Sequence, residues 1–340
     1  MKRALAVLLA LLSVGTTVYG MLAWMLRPAE PNAVRQAIFI VQPGWSASET
    51  ASALQDEGFV RSSLALRVYL RLTGADRQIG EGGYPMSPAL SGFQVARVLS
   101  YGGRPETVQI TIPEGTTIRG VSAILANAGI GSYDRNLALL SDPSSAPVGW
   151  LPREAVSLEG YLFPDTYTLR ADATPEEAAA TLMQHFLDVA RPLRPQAEAL
   201  GLTLHAWVTL ASLVQQEAGG VDEKPIIAGV FLNRLDEGMR LQSDPTVAYG
   251  LGKSLPELSA VAGDLQRDHD WNTYTRHGLP VGPIANPGRA ALETVLNPDR
   301  YTAAGEPWRF FLHGFEDGEK VFRPNVTYEA HLSDVNRFLR

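Results

Sequence analysis

Three observations predict an α+β chain that begins with a membrane-spanning helix. Residues 4–26 carry no charge. Strand–turn–helix units recur at an offset of 71 residues. The C-terminal half alternates helical periodicity with Gly/Pro-rich turns.

The uncharged run 4–26 has the length and hydropathy of a transmembrane helix, since a helix rises about 1.5 Å per residue and a bilayer core is about 30 Å thick. Lys2 and Arg3 lie in a three-residue tail, 1–3, that the positive-inside rule places in the cytoplasm; Arg27 and Pro28 end the span. Tyr19 and Trp24 suit an interfacial aromatic belt. A cleaved secretory signal is the competing reading, with Val18-Tyr19-Gly20 as its cleavage site, but the apolar region is long for one. Both readings export residues 30–340 from the cytoplasm.

The exported part is long enough for two or three domains with their own cores. The composition of the whole chain is ordinary for a globular protein, at 45% hydrophobic and 19% charged residues. A formal net charge of −7 argues against a nucleic-acid partner, which needs a basic footprint. With no Cys there is no disulfide framework, thiolate nucleophile, Cys-based zinc site or lipobox.

The repeat joins FIVQPG at 39–44 to ITIPEG at 110–115, each followed by an apolar-periodic stretch. Gly44, Leu54 and Gly58 fall on Gly115, Leu125 and Gly129; Ala47, Thr50 and Ala53 fall on Ile118, Val121 and Ile124. Each unit reads as a strand, a Pro/Gly turn, and a helix with a Ser or Thr N-cap and a closing Gly. Between them, residues 82–87 read as a strand and turn, and 92–100 as a helix with Phe93, Ala96 and Leu99 on one stripe. Simple α+β packing accounts for the repeat. A LysM-like glycan-binding module, which has the same strand–turn–helix order, is the functional alternative. The predicted organisation places this LysM-like N-terminal region at 36–150.

Residues 131–157, rich in Ser, Asp and Pro, read as a loop leading to a larger module at 155–340. Helices are predicted over 175–190, 205–218, 222–236 and 288–296, then a hairpin joining 309–313 to 320–323, and a closing helix at 327–339.

The six His form no HExxH or HxH pair, and no GxSxG elbow or Walker loop occurs, so metalloprotease, α/β-hydrolase and nucleotide-dependent chemistry lose their usual signatures. No metal or cofactor is expected. Carboxylate chemistry remains. In the helix over 205–218, Leu210, Leu213, Val214 and Glu217 share one face. A Glu extending an apolar stripe is anomalous, and burial there would raise its pKa and keep a proton available near neutrality. Gly219 and Gly220 end the helix beside it, leaving the open space a general acid needs. A frayed, solvated helix end, or pairing with an Arg, is the bland alternative.

Three further segments are dense in polar and aromatic residues. LEGYLFPDTY at 158–167 alternates them, for sugar stacking or for core packing. In QSDPTVAYG at 242–250, Asp244 before Pro245 reads as a helix N-cap and Gly250 as the C-terminal cap; Asn286 and Pro287 repeat that logic. WNTY at 271–274 and GLPVGPIA at 278–285 read as a long shaped loop of the kind that borders a site.

Taken together, LEGYLFPDTY (158–167), ASLVQQEAG (211–219), AGVFLNRL and GMRLQSDPTVAYG (within 228–250), NTY (272–274), GLPVGPIANPG (278–288) and TYEAH (327–331) make the chain closely resemble the YceG-like family of endolytic murein transglycosylases. The resemblance runs from the apolar span to residue 340. It implies a YceG-like α+β catalytic domain over 155–340, a LysM-like region before it, and single-pass anchoring in the bacterial inner membrane with the catalytic domain in the periplasm.

The implied reaction is a lyase reaction: cleavage between N-acetylmuramic acid and N-acetylglucosamine in nascent peptidoglycan without water, leaving a 1,6-anhydro end. The family's catalytic Glu falls on Glu217. Glu159, Asp165, Asp244, Asn272 and Asn286 are candidates for a polar lining, with Tyr161 and Tyr274 for sugar contacts. The implied partners are glycan strands, with peptidoglycan synthases (penicillin-binding proteins) as candidate protein partners. Trp271 stands where Tyr is common before NTY, and Glu319-Lys320 replaces a GlyHis-type turn, which puts a role for a His there in doubt. A noncatalytic glycan-binding scaffold for synthases and a water-using muramidase are the rival functions.

Overall fold

The structure, a computed structural model, describes residues 15–17, 19–33, 35–100, 107–171 and 173–339. The predicted tail 1–3 and most of the apolar span 4–26 lie outside the described residues; among the described ones no helix is long and apolar enough to cross a membrane. The chain is mixed α+β and divides into two compact units that meet in sequence at Thr107 and Val108.

The first unit begins with the helical residues 19–25 and continues through β1 (Ala37–Val41), α1 (Ala47–Asp56), α2 (Ser63–Thr73), β2 (Gly82–Met86) and α3 (Gly92–Ser100). β1 and β2 pair antiparallel with Phe39 opposite Tyr84. Strand alternation turns Phe39 and Val41 inward, against Leu54, Phe59 and Leu66, and leaves Ile38 and Ile40 outside. Leu26, the last residue of the apolar run, is 2% exposed and belongs to this core. Its carbonyl accepts the N–H of Gly92, where a Cβ would collide with the Leu26 side chain.

The second unit is built from β3 (Thr107–Thr111), α4 (Ile118–Asn127), α5 (Tyr133–Ser141), β4 (Thr166–Arg170), α6 (Pro175–Ala190), α7 (Arg194–Ala199), α8 (Leu204–Glu217), α9 (Lys224–Asp236), α10 (Asp244–Leu251), α11 (Arg289–Leu296), β5 (Phe310–Glu316), β6 (Glu319–Asn325) and α12 (Tyr328–Phe338). β3 pairs with β4, and β5 with β6 in an antiparallel hairpin closed by Asp317 and Gly318, both at positive φ. At the centre is α8, in which every residue from Trp207 to Val214 is buried. It is apolar nearly all round rather than on one stripe, as a helix enclosed by others must be. The Trp207 indole N–H donates to the Leu292 carbonyl of α11 at 2.9 Å.

The repeat is structural. α1 and α4 lie at the predicted offset of 71, and so do their caps. The Ser46 hydroxyl accepts from the N–H of Glu49, and the Thr117 hydroxyl from that of Gly120. Gly44 and Gly115 turn at φ 80 and 77, and Gly58 and Gly129 close the helices at φ 78 and 83.

The two copies nevertheless belong to different compact units, the first ending at Thr107, within the region expected over 36–150. Ile110, Ile112, Val121 and Leu125 of the second copy share a core with Leu182 and Phe186 of α6 and with α8. The expected loop 131–157 contains α5, capped by Ser132 and anchored by Leu140 and Asn136, both fully buried. The Asn136 amide donates to the carbonyls of Ser122 and Ile130.

Candidate active site

Glu217 is the last residue of α8, after which Gly219 and Gly220 leave the helix exposed. Its carboxyl is surrounded by protein while part of the residue stays accessible. The Ser243 hydroxyl donates to Oε1 at 2.5 Å. Burial pushes the Glu217 pKa up to about 7; the Ser243 hydrogen bond opposes this, the charge of Asp244 adds to it, and that of Arg234 opposes it. The group therefore both holds and releases a proton near neutrality.

Ser243 is aimed by a fully buried hydroxyl network. Its N–H donates to Thr273 Oγ1 at 2.9 Å, its carbonyl accepts from Thr246 Oγ1 at 2.6 Å, and the two threonine hydroxyls lie 2.9 Å apart. The preceding residue, Gln242, has φ 50, a left-handed conformation disfavoured for a residue with a Cβ. Its N–H donates to the Thr273 carbonyl, which helps hold that turn. The serine hydroxyl donates its proton to Glu217, and Ser243 occupies the N-cap of α10 without its oxygen accepting a helix N–H. This corrects the sequence expectation: Asp244 is the first residue inside the helix, and the helix ends at Gly252 (φ 67). Gly250 lies inside it, where a Cβ would meet the His269 ring.

Asp244 accepts the Tyr274 hydroxyl at 2.6 Å, and burial together with that bond raises the Tyr274 pKa. Asp244, Tyr274 and Glu217 therefore form one cluster, joined by Arg234. The Arg234 guanidinium donates to the carbonyls of Leu241 (2.7 Å) and Arg309 (2.6 Å) and lies over the Phe310 ring. Burial lowers its pKa, while Tyr274 and Glu217 raise it. Asn272 supports the cluster without joining it. It is 1% exposed, its amide N–H groups donate to the Leu265 and Arg267 carbonyls, and its Oδ1 accepts the N–H groups of Tyr274 and Thr275.

Glu159 and Asn286 form a second, enclosed centre. Both Glu159 oxygens accept the Ile118 N–H at the start of α4, and further bonds come from Tyr249 Oη and Asn286 Nδ2. Burial raises its pKa to about 8, against the Ile118 N–H, the Tyr249 hydroxyl and the charge of Arg119. Asn286 is no helix cap: α11 starts three residues later. Its Oδ1 accepts the N–H groups of Gly160 and Leu162, and its Nδ2 donates to the Thr116 carbonyl. With 0% exposure for Asn286 and 1% for Glu159, these two residues brace the site and offer no surface to a ligand.

Tyr161 likewise turns inward, correcting its expected sugar contact. It is fully buried against Trp150 and Phe186, with its hydroxyl on His205 Nδ1 at 2.8 Å. Asp165 is half-exposed, accepting the Thr166 N–H and facing His185 at 3.6 Å, with no bond to the Glu217 cluster. Beside that cluster, a groove of about 450 Å³ is lined by Thr117, Arg119, Gln216, Pro245, Tyr249 and Lys253 among others. Gln216 and Pro245 are the sequence neighbours of Glu217 and Asp244.

Fold and site together define an α+β protein with a buried, near-neutral carboxyl at a helix end followed by exposed glycines. The YceG-like family matches residues 39–337, and the chain belongs to that family. It is similar to a protein named endolytic murein transglycosylase from Bacillus subtilis (strain 168), with 29% identity over 92% of this chain and 89% of that protein. A Streptococcus pneumoniae protein of the same name is 28% identical over 86% of this chain, which spans 58% of that relative's length. A crystal structure of a YceG-like protein from Listeria monocytogenes matches 88% of this chain and 99% of its own, with 27% identity and a TM-score of 0.58.

Proposed function

We propose that the chain is a lytic transglycosylase that cuts peptidoglycan glycan strands internally, with Glu217 as its acid/base. The observation that carries this reading is the Glu217 carboxyl itself, enclosed, near-neutral in pKa and held by Ser243 at an open helix end. The names of the relatives supply the substrate class.

Protonated Glu217 donates its proton to the glycosidic oxygen as the bond from the muramic anomeric carbon to the N-acetylglucosamine oxygen breaks. The muramic 6-hydroxyl attacks that carbon, and its proton passes to the Glu217 carboxylate. The carboxyl ends as it began, the product carries a 1,6-anhydro ring, and no water is consumed. One carboxyl suffices, unlike the two-carboxylate glycosidases. In this reading Arg234 balances the negative charge that returns to Glu217, and Tyr274 and Asp244 line the sugar side.

The uncharged run in the sequence anchors the enzyme in the bacterial inner membrane, so that the catalytic unit meets nascent strands at the outer face. The strand–turn–helix copies act as a LysM-like glycan grip, synthases are the protein partners, and cleavage terminates strand growth. Incubating purified glycan strands with the enzyme and its Glu217→Gln variant tests the core of the proposal. Cleavage by the first and cleavage about 10²–10⁴-fold slower by the second are expected; equal cleavage rejects Glu217, and no cleavage by either favours the scaffold.

A further inference from the structure

The first unit carries an apolar helix face that is unpartnered among the described residues, beside the end of the uncharged run. On α2, Leu64, Val68 and Leu72 are 57%, 38% and 76% exposed, at i, i+4 and i+8 on one side. From Arg61 through Thr73 the sequence has three arginines (Arg61, Arg67 and Arg71) and no acidic residue. An apolar stripe edged by arginines is the pattern of a helix lying in a membrane interface.

The position of α2 relative to the run sharpens this. Arg61 Nε, just before α2, donates to the Pro28 carbonyl at 2.7 Å. Further along α2, the Tyr69 ring stands edge-on to Phe93 at 5.0 Å, and Phe93 follows Gly92, whose N–H is bonded to Leu26. α2 is thus tied to residues 26–28 from its start and again from its second turn. Leu22, Met25 and Leu26 pack on the unit's core, while Met21 and Trp24 face outward at 62% and 58% exposure. The uncharged sequence from residue 4 to 21 is therefore what remains for the bilayer: 18 residues, or about 27 Å as a helix. If residues 4–21 form the anchor proposed above, no linker separates the membrane from the folded unit.

We infer that α2 docks on the outer leaflet of the membrane that anchors the chain, with Leu64, Val68 and Leu72 in the headgroup–acyl boundary and Arg61, Arg67 and Arg71 on anionic headgroups. Arg61 and Arg71 are exposed, and Arg67, whose Nη1 donates to Ser48 Oγ at 2.8 Å, keeps its remaining N–H groups for phosphate. The inference rests on the anchor proposed above.

The absence of native Cys permits a clean test in the full-length chain. Leu72→Cys, carrying an environment-sensitive fluorophore, is placed in nanodiscs of phosphatidylcholine with or without phosphatidylglycerol. The label should be quenched by shallow doxyl lipids, and its quenching by aqueous iodide should fall about threefold or more relative to detergent, most strongly with phosphatidylglycerol. Adding Arg61→Gln, Arg67→Gln and Arg71→Gln should remove the phosphatidylglycerol effect. A chain that enters nanodiscs with its label as open to iodide as in detergent keeps the anchor and overturns the docking. Protection that arises only when membrane proteins are added also overturns it, in favour of a protein partner. A chain that fails to enter nanodiscs removes the anchor, and the docking with it.

Discussion

Ser243 Oγ donates a 2.5 Å hydrogen bond to Glu217 Oε1, and it does so from a turn held by Thr246 and Thr273. The bond favours the charged carboxylate and so pulls the Glu217 pKa down against burial. Ser243→Ala should therefore raise that pKa and move the alkaline limb of the pH–rate profile upward, with about a tenfold loss of rate from poorer positioning. Ser243→Thr should restore the wild-type limb. An unchanged profile in the Ala variant would show that the contact does not govern the proton.

The raised pKa has a stability consequence with a definite sign. Glu217 is ionised in the unfolded chain above its ordinary value of 4.5 but in the folded chain only above about 7. Folding therefore binds a proton between those values, and stability falls as pH rises through that window. Glu217→Gln removes the charge while its amide oxygen still accepts from Ser243. The variant should be more stable than wild type at pH 8, by about 2–3 kcal/mol, with the gap closing near pH 4. Denaturant titrations at the two pH values measure it, and a Gln variant less stable at pH 8 contradicts the burial argument. Cleavage should fall by about 10²–10⁴-fold.

Asn286 satisfies the N–H groups of Gly160 and Leu162 together with Glu159. Asn286→Ala strands these groups in the interior and should cost about 2–4 kcal/mol. A loss below about 0.5 kcal/mol by calorimetry, the range of a neutral surface change, would mean that the site needs no such brace.

Gly229 on α9 faces the backbone of the segment before β5: a Cβ there would lie 2.0 Å from the Asp299 carbonyl oxygen. Gly229→Ala should destabilise by about 3 kcal/mol or more, because backbone must move. Gly149→Ala, with nothing within 4 Å and no positive φ, should stay within about 0.5 kcal/mol. Equal melting temperatures for the two variants would refute the close approach.

What was legible in the sequence was what local chemistry writes. The Ser46 and Thr117 caps, the paired glycines and the helical periods place α1, α4, α6, α8 and α11 to within a residue or two, and the Glu217 anomaly points to the buried carboxyl with the raised pKa. Residues with two plausible duties were not legible. Asp244 and Asn286 precede prolines and look like caps, yet one binds Tyr274 and the other knits three distant segments. Tyr161 looks like a sugar platform and is core, because the decisive neighbours, Trp150 and Phe186, are brought by the fold.

Ser243 and Arg234 lie within QSDPTVAYG and AGVFLNRL but carry no signal of their own there. A Ser ahead of Asp-Pro, following a residue at positive φ, carries no sign in sequence that its hydroxyl faces a carboxyl 26 positions away. α5 was hidden because its nine residues stand beside a Ser/Asp/Pro-rich stretch and rely on a buried Asn.

Asp244, the second carboxyl near Glu217, is what a water-using mechanism would recruit, so the product decides the chemistry. The most direct measurement is mass spectrometry of the fragments formed from intact glycan strands in ¹⁸O-labelled water. Internal cuts ending in 1,6-anhydro-muramic acid with no label incorporated are the predicted result. Reducing muramic ends carrying the heavy oxygen would contradict it.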